Sequence, residues 1–161
     1  MQLLGTLKVS NESLRGLAIQ CHALDVAAYH LLYDSTHEDA NGETKRAYEE
    51  LLTAQLLNLA IGLRTKFYQG ADVKATVRYV QHCGILFKYK GSLEETATFS
   101  FKDVCDKIIH ADSVYRYVES SAERPTTNFR GRAQDKTEWE LCLSVSLFAE
   151  AVLNWLVSAD A

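Results

Sequence analysis

Three side chains able to do chemistry recur at one spacing in the stretch FSFKDVCDKIIHAD, residues 99–112: Lys102, Asp106 and His110, each four residues from the last. On a helix, positions i and i+4 lie one above the other. The spacing therefore predicts an ammonium, a carboxylate and an imidazole along one ridge. A carboxylate beside a histidine orients the ring and tends to raise its pKa, and a nearby cation can hold a phosphate. Such a ridge suits proton transfer next to an anionic group. The same spacing also fits an ion-pair ladder on the outside of an amphipathic helix, with no chemistry at all.

A second group lies further along. Arg116, Arg124, Arg130, Arg132 and Lys136 are interleaved with Tyr115, Tyr117 and Phe129. Arginines and aromatics on a sheet can bind single-stranded nucleic acid, with Arg116, Arg130 and Arg132 the expected contacts to RNA. Glu119, Glu123 and Asp135 partly cancel this charge, and a solvated hairpin face is the competing reading. No metal site is expected. Cys21 with His22, and His82 with Cys83, are adjacent pairs whose side chains diverge on a regular element, and Cys105 and His110 diverge on a helix. No glycine-rich phosphate loop, H-E-x-x-H or G-x-S-x-G motif occurs, so no cofactor is implied.

The elements that must position these groups follow from patterning. Ser100 and Asp103 form a capping-box pattern, and a helix from Phe101 puts Phe101, Val104, Cys105 and Ile108 on an apolar stripe. Upstream, Asn11 or Ser13 opens a helix to about Tyr33, with Leu14, Leu17, Ala18, Cys21, Leu24, Ala28, Leu31 and Leu32 at helical spacing. A polar loop with an Asn-Gly pair follows, residues 34–43. Residues 44–69 are rich in helix formers and carry a broad apolar face of Tyr48, Leu51, Leu52, Leu56, Leu59, Ala60, Leu63 and Phe67, widened by Leu57 and Ile61. That breadth predicts a central helix or one facing a second subunit. Gly62 inside it marks close helix packing, and Gly70 is a natural terminator.

Residues 73–80 fit helix and strand, and helix is preferred because the segment follows a capped turn. Residues 85–90 read as extended, and 92–99 as a connector. After Asp112 the pattern changes: 114–119, 127–133 and 138–143 are short aromatic or β-branched segments separated by turns. Ser144 can cap a last helix striped by Leu147, Phe148, Ala151, Val152, Trp155 and Leu156. The expected fold is mainly α: a bundle of four to five helices in a single domain spanning 1–161. A small antiparallel β-meander, about 113–143, is inserted before the last helix.

The composition agrees. A chain of 161 residues with 47% hydrophobic and 24% charged residues can bury one real core. A formal net charge of −4 gives no general attraction to nucleic acid or acidic membranes, so any RNA contact needs a local basic patch. The four cysteines are dispersed, as expected for reduced thiols in the cytoplasm. The start lacks the pattern of a signal peptide, and no apolar run approaches the roughly 20 residues needed to span a bilayer.

The capped helix with its terminal histidine resembles the HEPN superfamily of helical-bundle domains. That family carries an R-x4-6-H motif, commonly R-N-x-x-x-H, and here C-D-K-I-I-H, residues 105–110, occupies the pattern. His110 matches the histidine and Asp106 the polar position. Cys105 stands where the arginine is expected, and Lys102, one turn earlier, is the nearest substitute for its charge. The resemblance implies a homodimer, and either of two activities. One is a weakly catalytic or non-catalytic module acting through RNA or protein partners in defence or stress. The other is a metal-independent endoribonuclease in which His110 moves the 2′-hydroxyl proton, Asp106 orients it and Lys102 stabilises the phosphorane. A bundle interior that binds a small molecule is a third possibility.

Overall fold

The computed structural model describes residues 9–33, 36–69, 80–89, 93–96, 99–118 and 124–159. In chain order these form α1 (Asn11–Leu32), α2 (Glu43–Tyr68), β1 (Gly84–Tyr89), β2 (Leu93–Thr96), α3 (Phe101–Ile109), β3 (Ser113–Tyr117), β4 (Thr126–Arg132), β5 (Glu138–Leu143) and α4 (Val145–Ala159). The described chain is mainly helical with a small antiparallel sheet, as the patterning predicts. The expected helix at 73–80 and the terminator Gly70 lie outside the described residues, except for Val80, which is buried.

The helix starts are chemically explicit. The cap is neither Asn11 nor Ser13 but Ser10, which accepts from the Ser13 N–H at the head of α1. The loop before α2 ends in Gly42, whose φ of 66° favours glycine. The cap of α2 comes from Asp39, whose carboxylate accepts from the Thr44 and Lys45 N–H groups at 2.9 and 3.2 Å. Ser100 and Asp103 close the expected capping box on α3. Gly62 is a site of close packing against α1: a methyl group there would stand 2.8 Å from Leu14 Cδ2.

The sheet is larger than the expected insert. Its five strands run in the order β2-β1-β5-β4-β3, all antiparallel. The meander β3-β4-β5 occupies the expected stretch, but the β1-β2 hairpin, which precedes α3, joins its far side through β1 and β5. β2 falls inside the expected connector; its sequence LEET has little β-propensity and is held by register against β1 at the sheet edge. The sheet is thus assembled from both sides of α3.

The core lies between one face of the sheet and the helices. Leu86, Phe129, Leu141 and Leu143 from the sheet join the buried stripes of all four helices, with Phe101, Phe148, Phe67 and Trp155 in ring contact at its centre. Alternation along β5 and β4 sends Glu138, Glu140, Arg130 and Arg132 to the opposite face. No helix among the described residues is long and apolar enough to cross a membrane.

Candidate functional site

Helix α3 buries Phe101, Val104, Cys105 and Ile108, as its periodicity requires, and turns Lys102 and Asp106 outward. Lys102 Nζ donates to Asp106 Oδ2 at 3.1 Å, the expected i,i+4 contact. The other oxygen of Asp106 is met by a residue that helical spacing within one segment cannot find. Arg64 of α2 puts its Nε 3.2 Å from Asp106 Oδ1. The two atoms face each other without hydrogen-bond alignment, so this contact is electrostatic. Arg64 lies with its guanidinium 5.5 Å from the Tyr68 ring centre. The hydrogen bond with Tyr68, then the charge of Asp106, hold its pKa above the ordinary arginine value. Lys102 is raised likewise, by its hydrogen bond to Asp106 and the charge behind it.

Asp106 is therefore flanked by two cations. His110 is the C-cap of α3: its backbone N–H donates to the Asp106 carbonyl at 3.0 Å, and the residue is exposed. Among the described residues no hydrogen bond or ion pair engages its ring. The structure brings Lys102 and Asp106 together, adds Arg64 to them, and leaves the imidazole beyond the ion cluster, one turn along. Cys105 is fully buried, and burial raises its thiol pKa.

The three arginines of the second group part company. Arg116 points into the core side of the sheet with its side chain only 10% exposed, 2.7 Å from the buried carboxylate of Asp25. Its Nη2 donates to the Tyr48 hydroxyl at 2.8 Å and its Nη1 to Thr127 Oγ1 at 2.7 Å. Tyr48 in turn donates to the Leu24 carbonyl. Asp25 Oδ2 accepts from the Ser146 N–H at 2.8 Å, so a side chain on α1 caps the first turn of α4. Arg116 is thereby part of a buried ion pair and shares no surface with the other two.

Arg130 and Arg132 lie on the outer face of the sheet and line a shallow cavity of about 380 Å³ with Tyr89, Asp112, Glu138 and Glu140. Arg130 stacks 4.9 Å from the Tyr115 ring centre and pairs with Glu140 at 3.3 Å, while Arg132 pairs with Glu138 at 3.3 Å. Glu140 also accepts from Asn128 Nδ2 at 2.9 Å and from the Tyr89 hydroxyl at 3.2 Å. Burial opposes its charge, yet these hydrogen bonds from Asn128, Arg130 and Tyr89 outweigh it and hold its pKa below the usual glutamate range. Each of these two arginines has an acidic neighbour, which partly offsets its charge on a face that also carries aromatic rings.

Two partners escaped the sequence patterning, Arg64 and Asp25. Asp25 left a signal: it falls four residues after Cys21 and three before Ala28, a carboxylate on a buried stripe, which calls for a cation. Arg64 left none, because it lies on the flank of α2 among ordinary surface polars. No group of three or more possible metal ligands gathers among the described residues. No family model matches this chain, and neither does any curated protein or solved structure.

Proposed function

We propose that this chain is a HEPN-like helical module that is non-catalytic and acts through partners, the first of them a second copy of itself. The observation that carries the reading is the state of Asp106. With Lys102 on one oxygen and Arg64 on the other, its charge is already answered, and it makes no hydrogen bond to the His110 ring. An imidazole without an orienting partner is a poor general base. The buried Cys105 leaves the motif without its arginine on α3. Dimerisation is supported by Leu57, Ile61 and Tyr68, exposed by 37%, 46% and 66%, which follow the same flank of α2 as Arg64. An exposed apolar row beside a charged cluster has the make-up of an interface core and its rim. RNA or another protein would then be met by the assembled pair, in a cytoplasmic defence or stress setting.

The test has two parts. Light scattering of the purified protein should give a dimer, and Ile61→Glu should give a folded monomer. Labelled RNA incubated with the protein and EDTA should stay intact, with wild type and His110→Ala alike. Cleavage by wild type that His110→Ala abolishes would overturn the non-catalytic reading. A wild-type monomer at micromolar concentration would overturn the dimer.

One observation favours the ribonuclease alternative. Arg64 supplies from α2 the guanidinium that α3 lacks, beside Lys102 and Asp106 and one helical turn before His110. On that reading the products end in a 2′,3′-cyclic phosphate and Arg64→Ala is as inactive as His110→Ala.

A further inference from the structure

The two edges of the sheet are unlike. The strand order β2-β1-β5-β4-β3 leaves β2 at one edge and β3 at the other. β2, of sequence LEET, carries two carboxylates in four residues, a composition that repels a second strand of its own kind. β3 has no such guard. Its sequence, SVYRY, is β-branched and aromatic, with no proline, lysine or acid. Its one charge, Arg116, is turned inward to Asp25 at 2.7 Å. Val114 and Tyr115 alternate to opposite faces and are 43% and 44% exposed, so neither face of the strand is covered there.

The main chain of β3 is open as well. It pairs with β4 alone. In an antiparallel strand alternate residues turn their N–H and C=O groups away from the neighbour. On β3 these groups meet no other backbone partner among the described residues. An open row of donors and acceptors between two exposed side-chain faces is a template for a further strand.

The sequence of β3 and its surroundings say which strand. Antiparallel self-pairing over all five residues puts Tyr115 opposite Tyr115, Ser113 opposite Tyr117 and Val114 opposite Arg116 of the second copy. No like charges face each other, and the central pair is aromatic on aromatic, which is favourable. The edge also borders the apolar row of α2 assigned above to the dimer, since Val114 and Leu57 line one open groove. A two-fold axis through the β3 pair keeps the helices of both copies on one side of the joined sheet, so the two α2 rows approach each other across it. Five paired residues alone are too few for a stable interface, which takes roughly 1,200–2,000 Å², and the α2 row adds apolar area.

We propose that β3 is the strand through which two copies of this chain join: the β3 edges pair antiparallel about a two-fold axis centred on Tyr115, and the two five-stranded sheets become one. This pairing rests on the dimer proposed above and fixes the register of its two halves.

Hydrogen exchange on the wild-type chain, with light scattering at the same concentration, tests it. Both sets of β3 amides should be slow, one through β4 and the other through the second copy. The outward set should exchange at least about tenfold more slowly than its counterparts on β2 at the opposite edge. Tyr115→Lys sets two ammoniums opposite each other at a residue that solvent already reaches. It should raise the dimer dissociation constant at least about tenfold with the circular dichroism unchanged. If that variant fails to fold, the exchange pattern decides. A wild-type dimer whose outward β3 amides exchange as freely as those of β2 would overturn the strand pairing and leave the dimer standing. So would a Tyr115→Lys protein that folds and dimerises as tightly as wild type. A wild-type monomer at micromolar concentration would overturn both.

Discussion

Replacing Asp25 by alanine is expected to be among the most damaging single changes in this chain. The carboxylate is fully buried and performs two tasks: one oxygen faces Arg116 at 2.7 Å and the other accepts from the Ser146 N–H at 2.8 Å. Removing one member of a buried pair strands the other charge, at about 3–5 kcal/mol. Losing a helix cap costs about 1 kcal/mol more. Both losses come from one carboxylate and overlap, so a total of about 4 kcal/mol is expected. Against a typical stability of about 5–15 kcal/mol this leaves the protein marginal. Urea denaturation reads it directly: with a slope of about 2 kcal/mol per molar, the midpoint should fall by about 2 M. Asp25→Asn keeps an acceptor for Ser146 and should cost less. The double change Asp25→Leu with Arg116→Met removes both charges and should recover much of the loss, which the single changes cannot. A cost below about 1 kcal/mol for Asp25→Ala, the value of an exposed pair, would refute the reasoning. Additive single and double effects would do the same.

Three further outcomes follow from named contacts. Cys105→Arg, which would restore the HEPN-type motif, should lower stability by about 3–5 kcal/mol and give no cleavage, because the position is fully buried; urea midpoints and an RNA assay check both. Gly84→Ala should be severe and Gly62→Ala nearly neutral by thermal melting. The first methyl would stand 2.0 Å from the Cys142 carbonyl oxygen, which is backbone, whereas the second meets the end of the Leu14 side chain at 2.8 Å and gains about 1 kcal/mol of helix propensity. Glu140 has a folded pKa below its ordinary 4.5, so its contribution to stability is complete above that value and is lost as pH falls through the lower folded one. Glu140→Gln should flatten the acid limb of a stability–pH profile.

Much of the architecture was legible because it rests on local chemistry. The capping box at Ser100 and Asp103, the composition of α2 and the alternation in β4 are all written within a few residues. So was the close packing at Gly62. What was not legible depends on chain segments far apart. LEET became a strand only because β1 offers it an edge. Arg116 looked like a surface arginine among aromatics, and nothing near it in the chain says that Asp25 of α1 lies opposite. The site divided the same way: Lys102 and Asp106 meet through helical repeat, while Arg64 arrives from another helix and changes what Asp106 can do.

The cap that Asp25 places on α4 ties together residues 121 positions apart. At a synthesis rate of about 5–20 residues per second, α1 waits about 6–24 s after leaving the ribosome for the helix it is built to hold. Through that interval the stripe of Leu14, Ala18 and Cys21 lacks its α4 partner, and Asp25 lacks its amide throughout and its cation until Arg116 has been made. The nascent chain therefore leaves that apolar stripe uncovered until α4 emerges, and a truncation just before α4 would strand a charged gap in an apolar surface. The emergence of α4, more than any local nucleus, sets the moment at which this core can close.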